Sequence, residues 1–260
     1  MASPTYSCRA IVLRKTRLKE SDLIVTLLSD TGAQRRAVAK GARKPTSQFA
    51  SRLELFCEVD LLCSEGRGLD IVKEARIVRA RESVRCSLEH GMAAAPMAEL
   101  LERTTQPSLE EPRLFQASSV AFAALEEASR SGAPAIAAAH LLKTLAFSGL
   151  RPALAGCVVC GGPAQEQARG MMRFSFHEGG LVCPRCVRQA ETVPVSDATI
   201  GWARFFLSSP FATILQEKAP LEGSFSVLRL VQGLVREHVG ARLRSLELLF
   251  SCGLFGDDVE

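Results

Sequence analysis

Two Cys-x-x-Cys pairs, Cys157 with Cys160 and Cys183 with Cys186, restrict what this chain can fold into more than any other feature. Each spacing lets two thiolates reach one ion from a tight turn, so two turns must meet across 22 intervening residues. That is slightly more than the roughly 15 to 20 of the usual tetracysteine pattern. Gly161-Gly162-Pro163 and Gly179-Gly180 permit the turns and a hairpin between them. Four thiolates leave no coordination position for water or substrate, which predicts one structural zinc ion in a ribbon spanning residues 154–190. Cys183-Pro184-Arg185-Cys186 alone would suit disulfide exchange, but that chemistry wants a strand-to-helix setting, and here a second pair accompanies it. A zinc deaminase is excluded: His177 and Glu178 are adjacent where one residue must separate them, and Val182 precedes Cys183 where proline is required.

The other five of the nine cysteines (Cys8, Cys57, Cys63, Cys86, Cys252) stand singly in apolar surroundings that suit small buried hydrophobes. An odd, scattered set fits a reducing compartment. No apolar run reaches the roughly 18 residues of a membrane span, and Met1 to Arg9 lacks the apolar stretch of a secretory signal. The expectation is a cytoplasmic protein with no membrane partner.

Upstream of the cysteines, short apolar runs separated by turn signals imply five strands: Tyr6 to Arg14, Asp22 to Ser29, Ala33 to Lys40, Leu53 to Ser64 and Leu69 to Arg79. Asp30-Thr31-Gly32 and Gly66-Arg67-Gly68 are short enough for hairpins, and a longer connection runs from Gly41 to Arg52. In the fourth run Leu53, Leu55, Cys57, Val59, Leu61 and Cys63 share one face. Glu54, Phe56, Glu58, Asp60 and Leu62 share the other, as in a strand buried on one side and solvated on the other. Five hairpin-joined strands in about 75 residues fit a small closed or partly closed barrel, such as an OB-fold or an SH3-like barrel.

After residue 80 the composition turns to Ala, Leu and Glu at helical spacing, which divides the chain into a barrel domain over 1–80 and a helical domain over 81–260 that the ribbon interrupts. Ala93 to Arg103 reads as a helix interrupted early by Pro96. Pro112 and Pro134 open two more, and Ser196 caps another that runs to Leu207. Phe225, Leu228, Val231, Val235 and Val239 stripe a later helix, and Arg242 to Phe250 forms the last. His140 lies in a segment apolar on every face and is read as a core residue.

Charge is distributed unevenly. Residues 9–52 hold eleven Lys/Arg against three Asp/Glu, a net +8 in a chain whose total is +4. So local an excess points to a polyanion, with nucleic acid first among the candidates. Lys40-Gly41-Ala42-Arg43-Lys44-Pro45 projects three cations from one turn, a good geometry for phosphates. On the third strand alternation separates Arg36, Val38 and Lys40 from Arg35, Ala37 and Ala39, so the adjacent arginines serve different surfaces. Only Tyr6, Phe49 and Phe56 could stack on bases in the first 80 residues, so binding there should be led by phosphates.

Taken in order, Ala10-Ile11-Val12-Leu13-Arg14, Glu20-Ser21-Asp22-Leu23, Thr31-Gly32, Val38-Ala39-Lys40-Gly41-Ala42-Arg43, the two cysteine pairs and Gly240-Ala241-Arg242-Leu243-Arg244-Ser245 resemble the RecO family of recombination mediator proteins. The resemblance covers nearly the whole chain. It implies an α+β multidomain protein: an N-terminal five-stranded OB-fold barrel, then a mainly α-helical domain with an inserted zinc ribbon. It further implies binding of single- and double-stranded DNA, annealing of complementary strands, and contacts with single-stranded-DNA-binding protein and RecR. It also implies assistance to RecA in loading onto coated single strands, in a bacterial cytoplasm at the nucleoid. Ser47 and Gln48 stand where the family carries further basic residues.

On this reading Arg14, Arg35, Arg36, Lys40, Arg43 and Lys44 neutralise phosphates, Cys157, Cys160, Cys183 and Cys186 hold zinc, and no residue is catalytic. The chain contains no G-x-x-x-x-G-K-[ST], H-E-x-x-H or G-x-S-x-G motif. Two other readings are a metal-dependent nuclease using Asp22, Glu54 or Asp60, and a protein adaptor working through an exposed face of the 221–240 helix.

Overall fold

The computed structural model describes residues 3–164 and 170–255, so part of the expected ribbon, 165–169, lies outside the described residues. Strand β1 (Thr5–Leu18) is long because it serves two neighbours. Thr5–Ile11 pairs with β4 (Glu58–Ser64), and Ala10–Leu18 pairs with β2 (Asp22–Ser29). β2 turns at Asp30-Thr31-Gly32 into β3 (Gln34–Ala39), and β4 turns into β5 (Asp70–Arg79). A short parallel pairing of Ala37 and Val38 with Asp70 and Ile71 completes a closed barrel in the order β1-β2-β3-β5-β4. The barrel is therefore of the OB type. A register shift between Val12 and Arg14 marks the irregularity at which β1 bends from one neighbour to the other.

Residues of all five strands fill the interior, alternating as Ala10 and Val12, Val25 and Leu27, Ala37 and Ala39, Val59 and Leu61, with Val72 and Ala75 of β5 on either side of a register shift. β3 contributes only alanines, and Val25 on β2 lies in register with Ala37, so a large residue faces a small one across the ladder.

The fourth strand differs from expectation in two ways. It begins at Glu58 and not at Leu53, because Phe56 takes a left-handed backbone (φ 67°) that no strand can continue. Leu53 nevertheless reaches the core, carried inward by a turn in which its N–H donates to the Phe49 carbonyl at 3.0 Å. The second difference concerns the face expected to be solvated. Helix α1 (Glu82–Cys86) leads into α2 (Leu88–Thr104), and α3 (Pro112–Glu127) then covers that face. Phe56 stacks on Phe122 with ring centres 5.6 Å apart, and Glu58, 4% exposed, accepts a hydrogen bond from Ser119 Oγ at 2.7 Å. Arg81, itself buried, ion-pairs with Glu126 and stands near Glu58. A buried carboxylate survives here because it is hydrogen-bonded and close to a guanidinium.

Ser87 Oγ caps α2, accepting from the His90 N–H at 3.3 Å, and Pro96 sits buried inside this helix without interrupting it. The end of α2 docks on the β2–β3 hairpin, where Gln34 Nε2 donates to the Glu102 carbonyl at 2.8 Å. Packing groups the chain into two compact units, Met1–Glu126 and Glu127–Glu260.

In the second unit α4 (Ala133–Phe147) is buried along most of its length. Around it pack α5 (Asp197–Ser208), α6 (Phe211–Glu217) and α7 (Leu221–His238), with α8 (Arg244–Ser251) against α7. Ser196 caps α5 as expected, its Oγ accepting from the Thr199 N–H at 3.1 Å. His140 is a core residue on α4. Burial, with Lys143 adding, pushes its imidazole down to about 3 and keeps it neutral. Strands β6 (Met171–Ser175), β7 (Gly180–Val182) and β8 (Val193–Ser196) form an antiparallel sheet in the order β7-β6-β8 beside the cysteine turns. Among the described residues no helix is long and apolar enough to cross a membrane.

Candidate nucleic-acid interface and metal centre

The eleven basic residues of 9–52 separate by what they touch. Three are committed to carboxylates: Arg9 to Asp60 at 2.8 Å, Arg14 to Glu102 at 3.0 Å and Lys15 to Glu54 at 2.7 Å. Arg35 lies over the Tyr6 ring, 5.4 Å from its centre, and Arg52 donates to the Ala75 carbonyl at 3.1 Å. Arg17, Lys19, Arg36, Lys40 and Lys44 are exposed and make no ion pair among the described residues.

Arg43 has a structural task as well as a charge. Its guanidinium donates to the carbonyls of Glu20 at 2.8 Å and Lys19 at 3.3 Å, while its own N–H donates to the Ser21 carbonyl at 2.9 Å. Asp22 makes the reciprocal link, accepting from the Gly41 N–H at 2.7 Å. That N–H holds the Asp22 carboxyl below its ordinary value, with Ser21 and the charges of Lys19 and Lys40 adding to the effect. The β1–β2 turn and the loop after β3 are thus tied into one end of the barrel, with Lys19, Lys40, Arg43 and Lys44 gathered on it. Cationic side chains on a braced backbone suit a ligand whose charge repeats along its length.

The structure therefore brings Lys40, Arg43 and Lys44 together. Arg36 faces outward on β3, in register with Thr26 and through it with Arg14, whose charge Glu102 opposes. Arg35 points to the opposite side of β3, the alternation expected from the sequence. Arg17 and Lys19 belong to the basic end but were not among the expected residues. Placing Lys19-Glu20-Ser21 as the β1–β2 turn would have found them.

The metal centre is built by two turns. Gly161 N–H donates to the Cys157 carbonyl and Cys186 N–H to the Cys183 carbonyl, at 2.8 and 2.9 Å, and Val158 N–H reaches the Leu181 carbonyl at 2.8 Å to join the first turn to β7. The four sulfurs all lie within 4.8 Å of one another, with Cys160 and Cys183 at 3.8 Å. A tetrahedron with metal–sulfur bonds of roughly 2.3 Å has edges of about 3.8 Å, so the set fits one ion. Cys157, Cys183 and Cys186 are buried and Cys160 is exposed. Burial alone would raise the Cys157 thiol, but N–H donors from Cys183, Cys160 and Val159 outweigh it and bring it down to about 6. Burial and the neighbouring thiols push Cys186 up to about 12. Four thiolates this close would repel one another, and a bound cation would balance them.

Comparison with known proteins agrees with this architecture. A family model described as "Recombination protein O N terminal" matches residues 1–81, and one described as "Recombination protein O C terminal" matches residues 87–247. A curated protein of Rubrobacter xylanophilus, named "DNA repair protein RecO", is 34% identical over 236 residues, covering 90% of each chain. A protein of the same name from Frankia casuarinae is 39% identical over 188 residues, covering 70% of this chain and 74% of its own. Another, from Bifidobacterium longum, is 33% identical over 259 residues, covering 95% and 99%. With both halves matched and relatives alike from barrel to final helices, the chain belongs to the RecO family of DNA repair proteins.

Proposed function

We propose that this chain is a DNA-binding recombination mediator. It holds single- and double-stranded DNA by the phosphates, anneals complementary strands, and helps RecA load onto single strands coated with single-stranded-DNA-binding protein. RecR is its protein partner, and the setting is the bacterial cytoplasm at the nucleoid. The observation that carries the reading is the barrel end at which Arg17, Lys19, Lys40 and Lys44 stand exposed, with Arg36 facing outward on the adjoining β3, none of them with a carboxylate partner among the described residues. Uncompensated cations attract a polyanion through a counterion-release term that needs no base recognition, as annealing of any sequence requires.

The reading is non-enzymatic. The carboxylates a nuclease would need are engaged elsewhere: Asp22 with the Gly41 N–H, Glu54 with Lys15 and Asp60 with Arg9. Among the described residues the cysteine set is the one His/Cys/Asp/Glu group arranged to hold a metal ion. Its four soft thiolates at tetrahedral spacing select zinc, which when bound would fix the ribbon without performing chemistry.

The test is binding and annealing of complementary oligonucleotides over a salt series, for the wild type and an Arg36→Ala, Lys40→Ala, Lys44→Ala variant. Arg43 is kept because it braces the turn. The variant should bind more weakly, and its salt slope for single strands should drop by about 2, at about 0.7 for each phosphate no longer neutralised. Divalent-metal-dependent shortening of the DNA would establish the nuclease reading instead. If neither protein binds, the adaptor reading stands.

A further inference from the structure

In the second unit, α7, α8 and the residues just after β6 enclose a pocket of about 380 Å³. Arg229 and Arg236 from α7 and Arg242 from the segment before α8 line it. The opposing carboxylate is Glu247, which approaches Arg242 no closer than 4.0 Å. Two half-buried rings, Phe176 and Phe250, complete the walls. Phe176 reaches α7 because residue 233 is glycine: a Cβ there would stand 2.2 Å from the ring's Cε1. The Arg229 guanidinium lies 5.3 Å from the centre of the Phe250 ring. Gln232 Oε1 accepts from the Leu243 N–H at 3.4 Å, fastening the segment that carries Arg242.

We infer that this pocket takes one nucleotide of single-stranded DNA, its base against the phenylalanine rings and its phosphates at the arginines. The inference rests on the DNA-binding reading above and supplies what the barrel lacks. In the barrel Phe56 is buried on Phe122, while Tyr6 and Phe49 pack against the barrel core, so all three rings are at least partly taken up by the fold. The barrel end offers cations without an aromatic face beside them, whereas the pocket sets three guanidinium groups beside two phenylalanine rings. Flat rings next to planar cations match a base joined to a phosphate, and the volume lies in the range of small-ligand sites. A protein that anneals strands must touch DNA while leaving base edges able to pair, and stacking uses only the faces.

The test uses the full-length protein with 5-iododeoxyuridine-substituted oligo(dT), photo-cross-linked and mapped by mass spectrometry, and with fluorescent oligo(dT) for affinity. Cross-links should fall on the peptides carrying Phe176 or Phe250. Arg229→Ala with Arg236→Ala, and separately Phe250→Leu, should each weaken binding about tenfold with melting temperature unchanged. Arg229→Lys, which keeps the charge, should recover only part of the affinity. Cross-links confined to residues 14–44, with full affinity in all pocket variants, overturn the inference while leaving the barrel reading to its own variant. Loss of binding in neither the barrel nor the pocket variants overturns both. Displacement of oligo(dT) by equimolar dTMP would mark a free-nucleotide site. Protection of the pocket arginines by an Asp-Asp-Asp-Phe peptide but not by oligo(dT) would mark a peptide site. Either result also overturns it.

Discussion

The barrel and the ribbon are both small β structures, yet different forces hold them. The barrel draws buried residues from all five of its strands and needs nothing but its own side chains to fill its interior. The ribbon has strands of five, three and four residues, and its buried cluster consists of Cys157, Val182, Cys183 and Cys186, with Val158 and Ala190 packed against it. Three of those four buried residues belong to the cysteine set that could hold a metal ion. A sheet this short buries little apolar surface against its ordering entropy, and a metal held by the four cysteines would take the place of a core. A chain can thus carry two β modules whose stabilities answer to separate conditions.

Removing the metal is the strongest way to test that difference. Chelation, or Cys157→Ser, should abolish binding of about one zinc per chain and expose the amides of residues 153–164 and 170–190 to hydrogen exchange, since structural zinc contributes roughly 10–16 kcal/mol at such sites. Amides of β1 to β5 should keep their protection, and a barrel that opened with the ribbon would break the comparison. A core cavity should do the reverse. Leu53→Ala removes a fully buried side chain from the barrel and should cost about 2–5 kcal/mol in denaturant unfolding followed through barrel amides, with metal content unchanged.

The smallest effect concerns the braced turn. Because the folded state lowers the Asp22 carboxyl, its contribution is complete above the ordinary value of 3.8 and is lost as pH falls through the depressed folded value. Asp22→Asn should therefore lower the barrel's melting temperature slightly at neutral pH, and the gap should close in strong acid. A constant gap at every pH would assign the effect to shape and not to charge.

Local patterns made much of this legible. The cysteine spacing announced its centre, the Ser196 cap its helix, and alternation placed Arg35 and Arg36 on opposite surfaces of β3. What the pattern missed depends on residues remote in sequence. Nothing near Glu58 announces that Ser119, Arg81 and Phe122 will cover its side of the strand, and the left-handed turn at Phe56 hides inside a run of perfect alternation. Likewise Arg9, Arg14 and Lys15 look as available as Lys40 until Asp60, Glu102 and Glu54 come alongside them. Net charge counts cations, and only the fold shows which are already spoken for.

Closure of the barrel has one more consequence. An open sheet can be read by any extended chain that adds itself as another strand, but this barrel closes on itself, β1 pairing with β4 along its first half and with β2 along its second. The ribbon sheet is guarded too: Pro194 removes an amide donor from its edge strand β8, and Ala153 bridges to Gly180 at the margin of β7. Both sheets are therefore poorer templates for copies of themselves than an open, unguarded sheet would be. Copies of the protein brought to high local concentration would find few strand edges along which to zipper.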